Sequence, residues 1–150
     1  MRVLFIVNPV AGKGHAAKIV PQIKSIMESM NEVDFNVEYT KEPKHAVEIA
    51  KKHSSGDYDI VFAVGGDGTV NEVANGLVGS DTALGVLPGG SGNDFIRSLN
   101  ISGDMGSILR GTIKGQKKLI DVGTVNGRYF VNISSAGFDA EVVLATQRAK

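Results

Sequence analysis

Cysteine is absent from this 150-residue sequence, which removes disulfides, thiolate metal sites and cysteine nucleophiles together and suits a reducing compartment. Net charge is also missing. Sixteen Lys and Arg balance sixteen Asp and Glu, so no global field draws the chain to nucleic acid or to an anionic membrane. No apolar run is long enough to cross a bilayer. Met1 to Val7 is too short for a signal h-region and runs into Asn8-Pro9 without a cleavage pattern. There is no internal repeat and no low-complexity tract. The sequence lacks Gly-x-x-x-x-Gly-Lys-Ser/Thr, and Gly12 and Gly14 lack the third glycine of a dinucleotide fingerprint. His15, His45 and His53 have no partner at metal-ligand spacing and read as surface residues, so no protein metal site is expected.

What is present is a hydrophobic content of 42% with 21% charge, the composition of a globular domain able to bury its own core. Arg2 to Val7 is an apolar run that predicts a buried strand, followed by a Pro- and Gly-containing loop, Asn8 to Gly14. Helical spacing fills Ala16 to Met30, with Pro21 marking either a kink or the start of the regular part. Phe35, Val37 and Tyr39 alternate as a strand, and Ala46, Val47, Ile49 and Ala50 suggest a helix. Asp59 to Val64 is a third strand and Ala83 to Leu87 a fourth. Helices are expected at Thr69 to Leu77, Asn93 to Ser98 and Met105 to Lys114. Strands alternating with helices predict an α/β domain with a parallel sheet flanked by helices on both faces. From Lys117 the pattern changes. Leu119 to Val125 and Tyr129 to Ser134 flank an Asn126-Gly127 turn, a hairpin signal, and Gly137 to Leu144 suggests one more strand. The expected organisation is therefore an α/β domain over 1–118 and the start of a second, β-rich domain over 119–150. That β segment is too short for its own core, and its unpaired edges invite pairing with a second copy, a homodimer, or local disorder.

Three segments follow a strand, are rich in glycine and open a helix: Asn8–Gly14, Gly65–Thr69 and Pro88–Asn93. In a parallel α/β sheet such loops lie at the carboxyl ends of the strands, where ligands bind. Their glycines admit close backbone approach, and the helix N-termini favour phosphate. The competing role for each glycine is a tight turn or close packing. Gly65-Gly66-Asp67-Gly68-Thr69 places an acid inside such a loop, where it would repel phosphates unless it works with Mg²⁺, a hydroxyl or a proton. Asp67 is therefore the candidate catalytic residue. Thr69 with Glu72, and Ser91 with Asp94, have the spacing of capping boxes. Capping is taken as the main role of Glu72 and nucleotide contact as its secondary one. The cluster Arg97, Arg110, Lys114, Lys117 and Lys118 reads as a solvated face, with anionic headgroups as the minority partner.

Asn8-Pro9-Val10-Ala11-Gly12, Gly65 to Glu72 (GGDGTVNE) and Leu87 to Phe95 (LPGGSGNDF), taken in order, resemble the catalytic domain of the diacylglycerol kinase family, especially its bacterial soluble lipid kinases. Asp121-Val122-Gly123, Phe130-Val131-Asn132 and Gly137 to Ala140 resemble the start of that family's second domain. The resemblance implies a Rossmann-like first domain, a β-sandwich second domain and ATP in the cleft between them. It implies that Asn8, Pro9, Gly12, Thr40, Gly66, Asp67, Gly68, Thr69, Asn71, Glu72 and Ser91 line the ATP site. The implied reaction transfers the γ-phosphoryl group of Mg²⁺–ATP to a lipid hydroxyl, diacylglycerol-like, by a cytoplasmic enzyme in transient, peripheral contact with the membrane surface. Family members are about twice this long, and the expected general base lies beyond residue 150, so these 150 residues alone are expected to be inactive. An NAD kinase-like enzyme, which shares the Gly-Gly-Asp-Gly loop, and a non-catalytic nucleotide-binding module are the alternatives.

Overall fold

The computed structural model describes residues 1–101 and 103–134, and beyond them Ala140, Glu141 and Ala145. Its elements in chain order are β1 (Arg2–Val7), α1 (Ala11–Lys18), α2 (Val20–Glu28), β2 (Asp34–Tyr39), α3 (His45–Lys52) and β3 (Ile60–Gly65). They continue with α4 (Asp67–Leu77), β4 (Ala83–Pro88), α5 (Asp94–Ser98), α6 (Met105–Lys114), β5 (Gly123–Val125) and β6 (Arg128–Phe130).

The first four strands form one parallel sheet in the order β2-β1-β3-β4. The apolar runs of β1 and β3 are buried on both faces, which is why they lack polar alternation. Val3, Phe5, Val7, Phe62 and Val64 meet α1, α2 and α6 on one face. Leu4, Ile6, Val61 and Ala63 meet α3, α4 and α5 on the other. The Phe5 and Phe62 rings stack at 5.0 Å in the middle of the first layer. Gly85 on β4 leaves the space that the Phe62 ring needs. The chain leaves β1 for β2 on one side and returns to β3 on the other, so the strand order reverses between β1 and β3. The carboxyl ends of these two strands therefore splay their loops around a crevice.

The expected α/β architecture is observed, with adjustments. Gly12, Lys13 and Gly14 adopt left-handed backbone at φ 58, 56 and 86, so α1 is interrupted there and the loop reading of Asn8 to Gly14 describes the backbone correctly. The expected single helix over Ala16 to Met30 divides at Ile19, and Pro21 sits in the first turn of α2, where no N–H is needed. Helix α4 starts at Asp67, earlier than expected. The hairpin forms around Asn126 and Gly127, both at positive φ, but each strand has only three residues. Leu119 is fully exposed and Ile120 half-exposed, so among the described residues the apolar run before β5 has nothing to pack on and makes no strand. The strand expected at Gly137 to Leu144 falls largely outside the described residues, and Ala140 and Glu141 within it are helical.

His53 departs from the surface reading. Its Nε2 lies 2.8 Å from Glu38 and its Nδ1 3.3 Å from Asp57, with the side chain only 12% exposed. It joins the end of α3 to the outer strand β2. His45 also has a partner, since its Nδ1 accepts from the Lys41 N–H at 3.1 Å. His15 is exposed, as expected.

Two outcomes follow from packing and capping. A Cβ on Gly76 would lie 2.6 Å from the Val47 carbonyl oxygen, where α4 crosses α3. Gly76→Ala is expected to cost about 1–3 kcal/mol through overpacking, against a helix-propensity gain of up to about 1 kcal/mol. Its urea midpoint should therefore fall. At α6, the Ser107 N–H and hydroxyl both donate to the Asp104 carboxylate at 3.0 Å and hold its pKa below the ordinary value. A lowered folded pKa contributes stability that is complete above the ordinary Asp range and lost as pH falls through the folded value. The stability gap between the parent chain and Asp104→Ala, measured by urea unfolding, is expected to be constant from pH 7 down to about pH 5 and to narrow progressively below about pH 4.

Candidate functional site

The three glycine loops meet at the carboxyl edge of the sheet, backbone against backbone. A Cβ on Gly12 would overlap the Gly89 carbonyl, and one on Gly90 would overlap Gly66. The Gly89 N–H donates to the Gly65 carbonyl at 2.9 Å, so the β3 and β4 loops are bonded directly. Most of these glycines thus serve close packing of loop on loop. Gly68 differs: it has no positive φ and its missing side chain would meet nothing within 4 Å. It opens onto empty space.

That space is a cleft of ≈ 460 Å³ at the crevice between β1 and β3. Nine of the residues expected at the ATP site line it: Asn8, Pro9, Gly12, Thr40, Gly66, Gly68, Thr69, Glu72 and Ser91. The sequence reading missed Lys41, Glu42 and Pro43, which continue the wall after Thr40. Their signal was present in principle, because every β–α loop of this sheet ends at the same edge. Gly66 is the N-cap of α4 and no side chain caps that helix. Its first N–H groups are therefore left to water or to a bound anion, and the helix dipole adds to their pull.

Asp67 and Asn71 lie elsewhere. They line a second cavity of ≈ 490 Å³ between α4 and the hairpin. Gly68 alone borders both cavities. The second cavity has Asp67 and Asn71 of α4 and Asp94 and Phe95 of α5 on one side, and on the other a hairpin wall that mixes Val125, Phe130, Val131 and Ile133 with Arg128, Tyr129, Asn132 and Ser134.

Neither expected capping box forms. Thr69 is buried, and its hydroxyl instead accepts from the Asn8 side-chain amide at 3.3 Å, joining the β1 and β3 loops. Glu72 accepts the Lys44 N–H at 3.0 Å and so holds the loop before α3. Lys44 is the N-cap of α3 in left-handed conformation, which places the Glu72 carboxylate at the positive end of a neighbouring helix. Ser91 stays exposed beside the cleft, and Asp94 pairs with Arg97 at 2.9 Å. The loop before α5 is shaped by Asn93, whose amide donates to the Gly90 carbonyl at 2.9 Å and accepts the Gly90 N–H at 3.2 Å. Of the basic cluster, Arg97, Arg110, Lys114, Lys117 and Lys118 are all exposed.

Asp67 has a firm structural partner. Its Oδ1 accepts the Phe95 N–H at 2.9 Å, so the first residue of α4 caps α5. Asparagine keeps that acceptor and loses the charge. Asp67→Ala is expected to destabilise the chain by about 1–3 kcal/mol and Asp67→Asn by under about 1 kcal/mol, read from denaturant midpoints.

Against known proteins, residues 2–125 match the family described as "Diacylglycerol kinase catalytic domain". The chain is 37% identical over 141 residues to a protein named diacylglycerol kinase from Bacillus subtilis, covering 91% of this chain and 46% of that protein. A Staphylococcus saprophyticus protein of the same name is 33% identical over 138 residues, covering 91% and 45%. The crystal structure of a diacylglycerol kinase from Bacillus anthracis strain Sterne superposes with a TM-score of 0.67 at 35% identity, over 87% of this chain and 48% of that one. The chain thus spans about half the length of the relatives it matches. With matching loops, matching fold and a family match over most of its length, this chain belongs to the diacylglycerol kinase catalytic domain family.

Proposed function

We propose that this chain is the nucleotide-binding part of a lipid kinase that transfers the γ-phosphoryl group of ATP to a lipid hydroxyl, diacylglycerol-like. The observation that carries the reading is the cleft between β1 and β3, bordered by the uncapped N-terminus of α4 and by Gly68, which leaves room for phosphate beside it. In this reading Asn8 to Gly12, Gly66, Gly68, Thr69 and Ser91 cradle the phosphates, while Thr40 and Glu72 bound the nucleoside side. Phosphoryl transfer depends mostly on positioning and on neutralising charge. Mg²⁺ bound with ATP would supply that neutralisation, and Asp67, with Oδ1 occupied by the Phe95 N–H, has Oδ2 as the oxygen suited to face it. The second cavity, with carboxylates on one side and Val125, Phe130, Val131 and Ile133 among the residues facing them, suits a lipid alcohol whose hydroxyl points towards Asp67.

In the same reading 1–118 is the nucleotide-binding domain, and 119–150 begins a second, β-rich domain that supplies the general base and the remaining contacts. The 150-residue chain alone turns over little or no lipid. The substrate is met at a membrane surface; no helix among the described residues is long and apolar enough to cross one.

Calorimetric titration with Mg²⁺–ATP tests the reading, with NAD as control and Asp67→Asn alongside. Saturable ATP binding without NAD binding is expected. Asp67→Asn should weaken Mg²⁺–ATP about tenfold, the equivalent of one charge-assisted contact. Without Mg²⁺ the same substitution should leave ATP binding equal or tighter, because a carboxylate near phosphates then only repels. NAD binding as tight as ATP, or no ATP binding at all, would overturn the assignment.

A further inference from the structure

Asn75 was absent from every sequence argument, yet its side-chain amide makes three hydrogen bonds. Its Nδ2 donates to the Asn71 carbonyl and to the Tyr129 carbonyl, both at 2.8 Å. Its Oδ1 accepts the Tyr129 N–H at 3.0 Å. The pair of bonds to Tyr129 is what a neighbouring strand would offer, supplied here by one side chain. Tyr129 pairs with Thr124 across the hairpin, and in an antiparallel ladder alternate residues turn both backbone groups outward. Tyr129 is such a residue, so Asn75 occupies the outer edge of β6.

This contact matters because, among the described residues, the hairpin has little else to hold it. Two three-residue strands are not stable alone. Val125 and Ile133 are exposed, and Val131 is the hairpin-side residue packed against the core. On α4, Gly68, Asn71 and Asn75 recur at i, i+3 and i+7 and so share one face. Gly68 and Asn71 border the second cavity, and Asn75 grips the strand that forms its opposite wall.

We propose that Asn75 is a positioning residue: by pairing with Tyr129 it fixes residues 128–134 at a set distance from Asp67, Gly68 and Asn71, and so keeps the acceptor cavity formed. The acceptor role of that cavity rests on the kinase reading above; the clamp itself does not.

The absence of cysteine allows site-specific spin labels without background. Labels at Gln22→Cys, on the rigid body, and Ile133→Cys, on the cavity wall, report the hairpin's position by pulsed-dipolar distance measurement. With Asn75 a narrow distribution is expected. Asn75→Ala should broaden it at least twofold, and alanine suits the helix, so α4 itself should be retained. Asn75→Asp keeps the acceptor for the Tyr129 N–H but loses both donated bonds, and should broaden it to an intermediate width. In parallel, Asn75→Ala is expected to weaken binding of dioctanoylglycerol at least tenfold while leaving Mg²⁺–ATP affinity within twofold. An unchanged distance width in Asn75→Ala, or a broadened one with unchanged dioctanoylglycerol affinity, would overturn the proposal. If the chain with Asn75 intact binds no dioctanoylglycerol, the acceptor reading fails and the distance widths alone decide the clamp.

Discussion

One helix holds the site together. Within nine residues, α4 sends four side chains to four different segments. Asp67 reaches the N–H of Phe95 after β4, and Thr69 receives the amide of Asn8 after β1. Glu72 takes the N–H of Lys44 after β2, and Asn75 grips Tyr129 of the hairpin. Since α4 itself follows β3, every carboxyl-edge loop of the sheet and the β segment beyond it are referenced to a single rigid element. Such an arrangement limits how far the loops can move apart, which a cleft assembled from separate loops requires.

The same bonds explain why capping by sequence pattern failed. Thr69 and Glu72 have the spacing of a box on their own helix, but both serve neighbours instead. A local motif was available and tertiary contacts used its atoms elsewhere. The helix that gives up its caps keeps free N–H groups at the cleft, while α3 and α5 each gain a carboxylate at their positive ends. Capping is thus redistributed so that the N-terminus of α4, left without a side-chain cap, borders the cleft.

The sequence made the sheet legible because β1 and β3 are apolar without alternation and are bounded by glycine loops. It made the cleft legible because loops after parallel strands share an edge. Its errors have physical causes. Leu119 and Ile120 look like strand residues, but a strand needs a partner and they have none among the described residues. His53 looks isolated because Glu38 approaches it from a strand that only the fold brings near, and Asp57, four residues on, reaches it only through the turn that follows α3. Asn75 carries no signal at all: an Asn inside a helix is unremarkable until the chain returns 54 residues later to meet it.

The acid in the glycine loop posed the sharpest difficulty, since a carboxylate beside phosphates should repel them. The helix resolves it by geometry. Gly68 and Thr69 border the cleft of loops, whereas Asp67, one residue earlier, borders the cavity on the other side. Its Oδ1 is drawn there by the Phe95 N–H, which also offsets part of its charge. Gly68 lies between the two spaces and fills neither. In the proposed reading, a phosphate on one side and a hydroxyl on the other would meet at Gly68, beside a carboxylate that faces the hydroxyl and the Mg²⁺ accompanying the phosphate rather than the phosphate itself. That separation of charge, with contact still allowed, is the feature of this loop that phosphoryl transfer would use.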